Sequence, residues 1–204
     1  MNEMIKDEIF QLMQQLSSIS EQRRVMLDTL TSAVKESLSK HNTVNLLYVC
    51  THNSRRSHFG QVAGALAAAY FGVDSVKCYS AGTEVTAMNH NAVKTLIDFG
   101  FSVSQSGDEK NQNYTFDAEG VLPINCFSKR FDDDSIPKDN VIAIMTCTDA
   151  EQNCPFIPGA VCRIALPYQD PKQSDGTGME QQVYAERFRQ ILGEALYVFS
   201  GLNR

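Results

Sequence analysis

A chain of 204 residues is long enough to bury a core of its own, and its near-average apolar and charged content indicates neither a disordered nor a membrane protein. The net charge of -6 and the pI of about 5.2 argue against a nucleic-acid partner. No run approaches about 18 consecutive apolar residues and the N-terminus lacks a basic and apolar signal segment, so the sequence predicts a cytoplasmic protein without a membrane partner.

Residues 1 to about 42 are predicted to be helical, because two groups of apolar residues recur at helical spacing. The groups are Ile5, Ile9, Leu12, Met13 and Leu16, then Met26, Leu27, Leu30, Val34 and Leu38. Ser18-Ile19-Ser20-Glu21 fits a capping box, which favours two helices with a break near Ser18. The apolar stripe can pack on the main domain or on a second copy of the chain, as a homodimer, and a regulatory role is a further alternative.

Strands and helices alternate along the rest of the chain. Strands are predicted at Asn45–Cys50, Val76–Ser80, Val141–Cys147 and Cys162–Leu166, and helices at Arg56–Phe71, Asn91–Phe99 and Gln181–Phe199. The polar stretch Gln105–Asn125 is predicted to be an inserted surface loop. Such alternation favours a three-layer αβα fold with a central parallel sheet. We therefore predict a helical N-terminal extension, residues 1–42, and an α/β domain, residues 43–204.

The segment between the first predicted strand and its helix carries the strongest chemical signal. It reads Cys50-Thr51-His52-Asn53-Ser54-Arg55-Arg56-Ser57. A helix start presents unpaired amides and partial positive charge, which suit an oxyanion and stabilise a thiolate. Cys50 is therefore a candidate nucleophile. Arg56 can grip two oxygens with its planar fork, Ser57 can donate to the sulfur, and Asn53 can brace an unusual turn. The alternative is a buried structural cysteine beside a surface arginine.

An acid for the leaving oxygen is predicted at Asp170. Asp170-Pro171 follows the strand candidate that ends at Leu166, so its loop should lie at the same sheet edge as Cys50. A proton donor at that edge would make a leaving group easier to expel. An isolated Asp-Pro pair is more often a turn, and it is the Cys50 loop that favours the catalytic interpretation.

The six cysteines are predicted to be reduced thiols, and two of them form a second motif. Cys147 and Cys154 follow another buried strand, and if the residues between them are helical they lie about 10 Å apart along the helix axis. A disulfide needs Cα atoms within about 7 Å, so the segment between Thr148 and Pro155 would have to unwind. Two structural cysteines are the alternative. No metal site is predicted, because the four histidines are scattered and no Cys-x2-Cys pair occurs.

Together these motifs resemble the low-molecular-weight protein tyrosine phosphatase superfamily, and more closely its thioredoxin-coupled arsenate reductase branch. Cys50-x5-Arg56-Ser57 and the late Asp170-Pro171 match the phosphatases. The reductase branch adds a loop of the form Cys-Thr-x-Asn-Ser-x-Arg-Ser and a Cys-x6-Cys-Pro segment, which residues 50–57 and 147–155 match. The resemblance covers about residues 44 to 200.

The resemblance implies a three-thiol relay. Cys50 would attack arsenate while Asp170 protonates the departing oxygen. Cys147 would then attack Cys50 and release arsenite, and Cys154 would attack Cys147 to leave a disulfide that thioredoxin reduces. The residues expected to hold the oxyanion are Thr51, His52, Asn53, Ser54, Arg55, Arg56 and Ser57. No bound cofactor is required, because thiols supply the electrons.

Three positions depart from the reductase pattern. His52 replaces the usual glycine, and Arg55 replaces a second cysteine in the loop. Gln61 stands where potassium-binding relatives carry a glutamate, so a potassium site is doubtful.

Two other functions stay open. A tyrosine phosphatase would hydrolyse phosphate monoesters with Cys50, Arg56 and Asp170 and leave the second cysteine pair as bystanders. The residues after Asp170-Pro171, Lys172-Gln173-Ser174-Asp175-Gly176, include no aromatic to stack on phosphotyrosine. A non-catalytic anion-binding or redox-sensing module would keep the second pair and would not need Asp170.

Overall fold

A computed structural model describes residues 1–153 and 156–202 and shows a parallel sheet flanked by helices. The strands are Val44–Cys50 (β1), Val76–Gly82 (β2), Ser102–Asp108 (β3), Asn111–Asp117 (β4), Ile124–Cys126 (β5), Val141–Met145 (β6) and Ala160–Ala165 (β7). The α-helices are Glu3–Gln14 (α1), Glu21–Lys40 (α2), Arg56–Phe71 (α3), His90–Asp98 (α4), Thr148–Asn153 (α5) and Glu180–Leu202 (α6). The central sheet has the order β2-β1-β6-β7 with all neighbours parallel, so the predicted three-layer fold is confirmed.

The two central strands, β1 and β6, are buried along their whole length. Both are continuous apolar runs apart from Asn45, as expected for strands covered by helices on both faces. Helix α3 packs closely against β1 at Gly60, which has no Cβ. A Cβ at this position would lie only 2.3 Å from the Tyr48 ring. Because β1, β6 and β7 are parallel, their carboxyl ends lie at one edge of the sheet, and α3 begins a few residues after the end of β1.

The N-terminal segment forms the two predicted helices, and both pack on α6. Five side chains of their apolar stripe are buried in the main hydrophobic core: Ile5, Ile9, Leu27, Leu30 and Val34. The break contains a short 3-10 helix, and the cap of α2 is Ser20, whose hydroxyl accepts from the Arg23 amide at 3.3 Å. The N-cap is thus Ser20, two residues after Ser18, where the capping box predicted it. The domain division at residue 43 and a homodimer stay predictions. Among the described residues, no helix combines the length and apolar character that crossing a membrane requires.

The prediction of a surface loop at residues 105–125 was wrong, because this region contributes to a three-stranded antiparallel sheet, β3-β4-β5. Strands β3 and β4 make a hairpin in which Ser102 pairs with Asp117 and Asp108 with Asn111. The apolar signal is sparse because most of the hairpin's side chains are exposed or half-buried, and β4 contributes only Phe116 as a fully buried side chain. The few apolar side chains of this sheet, Phe116, Ile124 and Cys126 among them, join the main hydrophobic core.

Candidate active site

The loop after β1 surrounds the Cys50 thiol at the start of α3. Cys50 is buried, and its Sγ lies 3.1 Å from the Ser57 Oγ in the first turn of the helix. Asn53 adopts the left-handed region with φ of 42°. Its side-chain oxygen accepts from the Lys129 backbone amide at 2.9 Å, which fixes the amide orientation, and its nitrogen donates to Ser57 Oγ at 2.8 Å. Since Ser57 accepts from Asn53, its own proton is free to point at the Cys50 sulfur.

The backbone of this loop is held by its neighbours. The Thr51 carbonyl accepts from the backbone amides of Thr83 and Glu84, both at 2.9 Å, and the Ser54 carbonyl accepts from the Asn89 amide at 2.9 Å. Gly82 makes this packing possible, because a Cβ there would lie 2.7 Å from the Thr51 carbonyl oxygen. These loop carbonyls are thus hydrogen-bonded to neighbouring backbone amides, which fixes the loop backbone before any anion binds. Oxyanion stabilisation requires such preorganisation.

Arg56 and Asp170 are brought together as an ion pair. An Arg56 terminal nitrogen donates to the Asp170 carboxylate at 2.6 Å, and the other donates to the Tyr168 carbonyl at 3.1 Å. The Arg56 Nε is buried and has no hydrogen-bond partner among the described residues. Asp170 also caps a short 3-10 helix by accepting from the Lys172 amide at 3.1 Å. The fork is therefore oriented by two partners, which leaves the Nε donor unused.

Cys147 lies at the same sheet edge, directly after β6. Its side chain is buried, its Sγ stands 3.6 Å from the Thr51 Oγ1 of the Cys50 loop, and it accepts from the Ala150 amide at 3.4 Å. Two of the three thiols of the predicted relay are thereby brought to one loop. Cys154, the third, lies outside the described residues.

His52 and Arg55 have side-chain partners other than an anion. The His52 ring is half exposed, with its Nε2 3.5 Å from the Glu84 carboxylate. Arg55 donates through Nε to the Tyr184 hydroxyl at 2.6 Å and through a terminal nitrogen to Asp175 at 2.9 Å. Tyr184 in turn donates to Asp175 at 2.7 Å, and burial raises the pKa of its hydroxyl to about 12. This triangle of Arg55, Tyr184 and Asp175 ties the loop to the segment that follows Asp170, and no sequence motif indicated it.

A buried polar cluster supports the loop from behind. The Gln61 side-chain oxygen accepts from the Ser80 hydroxyl at 2.6 Å and from the Cys126 thiol at 3.7 Å. Beside Cys126 lies the buried ammonium of Lys129, which donates to the Phe127 carbonyl at 3.2 Å and whose pKa burial lowers. These residues do not suit a potassium ion, because the Gln61 side-chain oxygen already accepts two hydrogen bonds and the neighbouring Lys129 is positively charged. In the described ranges, no group of three or more histidines, cysteines and carboxylates could hold a metal ion.

Cys78 and Cys126 are structural thiols. Burial raises the pKa of each to about 12, so neither is a thiolate near neutral pH. Burial also raises the pKa of Cys162, which lies half-buried in β7. Cys78 also lines a cavity of about 590 Å³ between α3, β2 and the segment before β5, and no residue of the Cys50 loop lines that cavity.

His58, in the first turn of α3, makes protein stability depend on pH. Its pKa is lowered to about 3, because burial and the nearby Lys129 charge disfavour the imidazolium. In the unfolded chain this pKa is about 6.5, so below that value only the unfolded chain takes up the proton. The stability that depends on neutral His58 is therefore fully present above about pH 6.5 and is lost as the pH drops toward about 3.

We expect wild type to lose about 2 kcal/mol more unfolding free energy than His58→Asn between about pH 7.5 and about pH 5. Urea unfolding at the two pH values measures both losses. Parallel losses in the two proteins would show that His58 is not buried in the neutral form.

Arsenate reductases are among the known proteins to which this chain is similar. No protein-family model matches the chain. Arsenate reductase of Bacillus subtilis strain 168 is 31% identical over 156 residues, which are 76% of this chain and 94% of that protein. Arsenate reductase of Bacillus licheniformis is 29% identical over the same shares of both chains.

Two solved structures share the fold, each with a TM-score of 0.50. One is a low-molecular-weight phosphotyrosine phosphatase from Vibrio cholerae O395, at 12% identity over 77% of this chain and 94% of that one. The other is an arsenate reductase in the phosphate binding state, at 15% identity over 78% of this chain and 99% of that one. At such identities the likeness is one of architecture.

Proposed function

This chain belongs to the arsenate reductase family, and we propose that it reduces arsenate to arsenite through Cys50, Cys147 and Cys154, with thioredoxin as the reductant. The observation that carries the proposal is the position of Cys147, whose sulfur touches Thr51 of the Cys50 loop. Hydrolysis of a phosphate ester needs one thiol at this loop, whereas reduction of an oxyanion by thiols needs a second one within reach. The 31% identity to a protein named arsenate reductase supports the substrate.

The first step is attack by the Cys50 thiolate on arsenic(V). A sulfur–arsenic bond forms and one arsenic–oxygen bond breaks, while the departing hydroxyl takes a proton from Asp170 and leaves as water. Ser57 stabilises the thiolate before attack through the 3.1 Å contact between its hydroxyl and the sulfur. Arg56 stabilises the anion with its free Nε donor and with the terminal nitrogen that now holds Asp170.

The second and third steps move two electrons onto arsenic. Cys147 attacks the Cys50 sulfur, a disulfide forms, and the pair of electrons of the sulfur–arsenic bond stays on arsenic, which leaves as arsenite. Cys154 then attacks the Cys147 sulfur, so the Cys50 thiolate is released and a Cys147–Cys154 disulfide remains. A dithiol of the thioredoxin class reduces that disulfide and closes the cycle. The cytoplasm, where thiols are kept reduced, suits this relay.

Phosphate monoester hydrolysis is the second candidate function. It is favoured by the arrangement of Cys50, Arg56 and Asp170, because a thiol nucleophile, a bidentate cation and an acid are also what phosphoryl transfer through a cysteine requires. In this alternative, water attacks a Cys50 phosphoenzyme and Cys147 takes no part.

The deciding experiment measures arsenite formed from arsenate in the presence of thioredoxin, thioredoxin reductase and NADPH, with p-nitrophenyl phosphate hydrolysis assayed in parallel. We expect arsenate-dependent NADPH oxidation that stops when thioredoxin is omitted. Hydrolysis of the aryl phosphate without arsenite formation would replace the proposal by the phosphatase alternative. Inactivity on both substrates would favour a non-catalytic anion-binding or redox-sensing module.

A further inference from the structure

Among the contacts that anchor the segment carrying Asp170, three come from different parts of the fold. Between β7 and Pro171 the chain leaves the sheet, with the Tyr168 amide donating to the Thr146 carbonyl at 3.1 Å. Arg56 holds the Tyr168 carbonyl and the Asp170 carboxylate. The third anchor comes from the N-terminal extension, through Arg23 of α2.

Arg23 uses its whole guanidinium for this contact. One terminal nitrogen donates to the Pro167 carbonyl at 3.1 Å, and the guanidinium carbon lies 4.6 Å from the centroid of the Tyr168 ring. Nε and the other terminal nitrogen donate to the two Glu194 oxygens at 3.0 and 2.7 Å. Glu194 belongs to α6, and a further bond from Gln190 at 3.1 Å holds it. One planar group therefore locks two consecutive residues of the Asp170 segment against a fixed carboxylate.

The burial of this pair indicates a role in geometry rather than in stability. The Arg23 and Glu194 side chains are 16% and 5% exposed. Removing two charges from water offsets most of their mutual attraction, so buried ion pairs contribute little net stability and are best attested as devices that specify one arrangement. The arrangement specified here is that of Pro167 and Tyr168, and Tyr168 is also held by Arg56.

We propose that Arg23 is a positioning residue for the acid, through which the N-terminal extension completes the active site. Arg23 touches neither the nucleophile nor the Asp170 carboxylate, and it acts by fixing the two residues that lead to Asp170. The inference rests on the proposed function, in which Asp170 protonates the leaving oxygen.

The test is a double-mutant cycle between Arg23→Lys and Asp170→Asn, measured as kcat and KM for arsenate in the thioredoxin-coupled assay, or for p-nitrophenyl phosphate if only that substrate turns over. Lysine keeps the charge but cannot hold Glu194, Pro167 and the Tyr168 ring together. We expect Arg23→Lys to lower kcat about tenfold with KM within about twofold, and to have less than about a twofold effect in the Asp170→Asn background.

Arg189→Lys is the matched control. Arg189 of α6 makes the same bidentate bridge to the extension, with Glu8 at 2.9 and 2.7 Å, and it does not contact the Asp170 segment. It should leave kcat within about twofold of wild type. A kcat loss from Arg23→Lys that is equal in both backgrounds, or no loss at all, would overturn the inference while leaving the proposed function intact. A wild type inactive on both substrates would overturn both.

Discussion

Replacing Cys147 by serine is expected to lower thioredoxin-coupled arsenite formation by at least about 10³-fold, because the arsenic–sulfur adduct on Cys50 then has no thiol to reduce it. Serine is close in size to cysteine and can keep the contacts to Thr51 and the Ala150 amide, so the loop should retain its shape. Hydrolysis of p-nitrophenyl phosphate, if wild type shows it, should stay within about threefold, because that reaction uses Cys50, Arg56 and Asp170 alone.

Two further variants serve as controls for the Cys147→Ser result. Cys50→Ser should lose both activities, because it removes the nucleophile of both mechanisms. Cys162→Ser makes the same chemical change in β7, beside β6, the strand that precedes Cys147, and should leave both activities near wild type. Mass spectrometry of Cys147→Ser incubated with arsenate should show the arsenic adduct on Cys50. Full arsenite turnover by Cys147→Ser would show that electrons reach arsenic by another route.

The architecture could be predicted from the sequence because its signals are local. The apolar runs of β1 and β6 are buried on both faces, so every residue of the strand contributes to the pattern. The strand-to-helix junction at Cys50 is likewise contiguous in sequence, and topology then brings the ends of β6 and β7 to the same edge. Cys147 and the Asp170 segment reach the Cys50 loop for that reason.

The residues that escaped prediction act through contacts distant in sequence. Arg23 and Glu194 are separated by 171 residues, and Arg55 and Tyr184 by 129, so no motif spacing connects them. Each arginine alone resembles an ordinary surface charge of an amphipathic helix or loop. The β3-β4-β5 sheet escaped for a different reason, since β3 and β4 are mostly exposed or half-buried and carry too few apolar residues to give a sustained alternating pattern.

The roles of the two adjacent arginines of the Cys50 loop can be separated by the same substitution at each position. In Arg56→Lys the ammonium keeps the charge but replaces three directed donors by one group, so it cannot hold the Tyr168 carbonyl, Asp170 and an oxyanion at once. We expect kcat/KM for arsenate to fall by about 10² to 10³-fold, the usual cost of removing an oxyanion-stabilising donor.

Arg55→Lys is the matched control for that loss. The Arg55 guanidinium is directed to Tyr184 and Asp175, so lysine there should loosen the segment after Asp170 and lower kcat/KM by no more than about tenfold. Initial rates over a range of arsenate concentrations compare the two variants. Losses of equal size would mean that Arg55 also contacts the anion, as its place in the loop suggested. A loss confined to Arg56→Lys would mean that the loop divides its two charges, with one arginine binding the substrate and the other holding the acid segment in place.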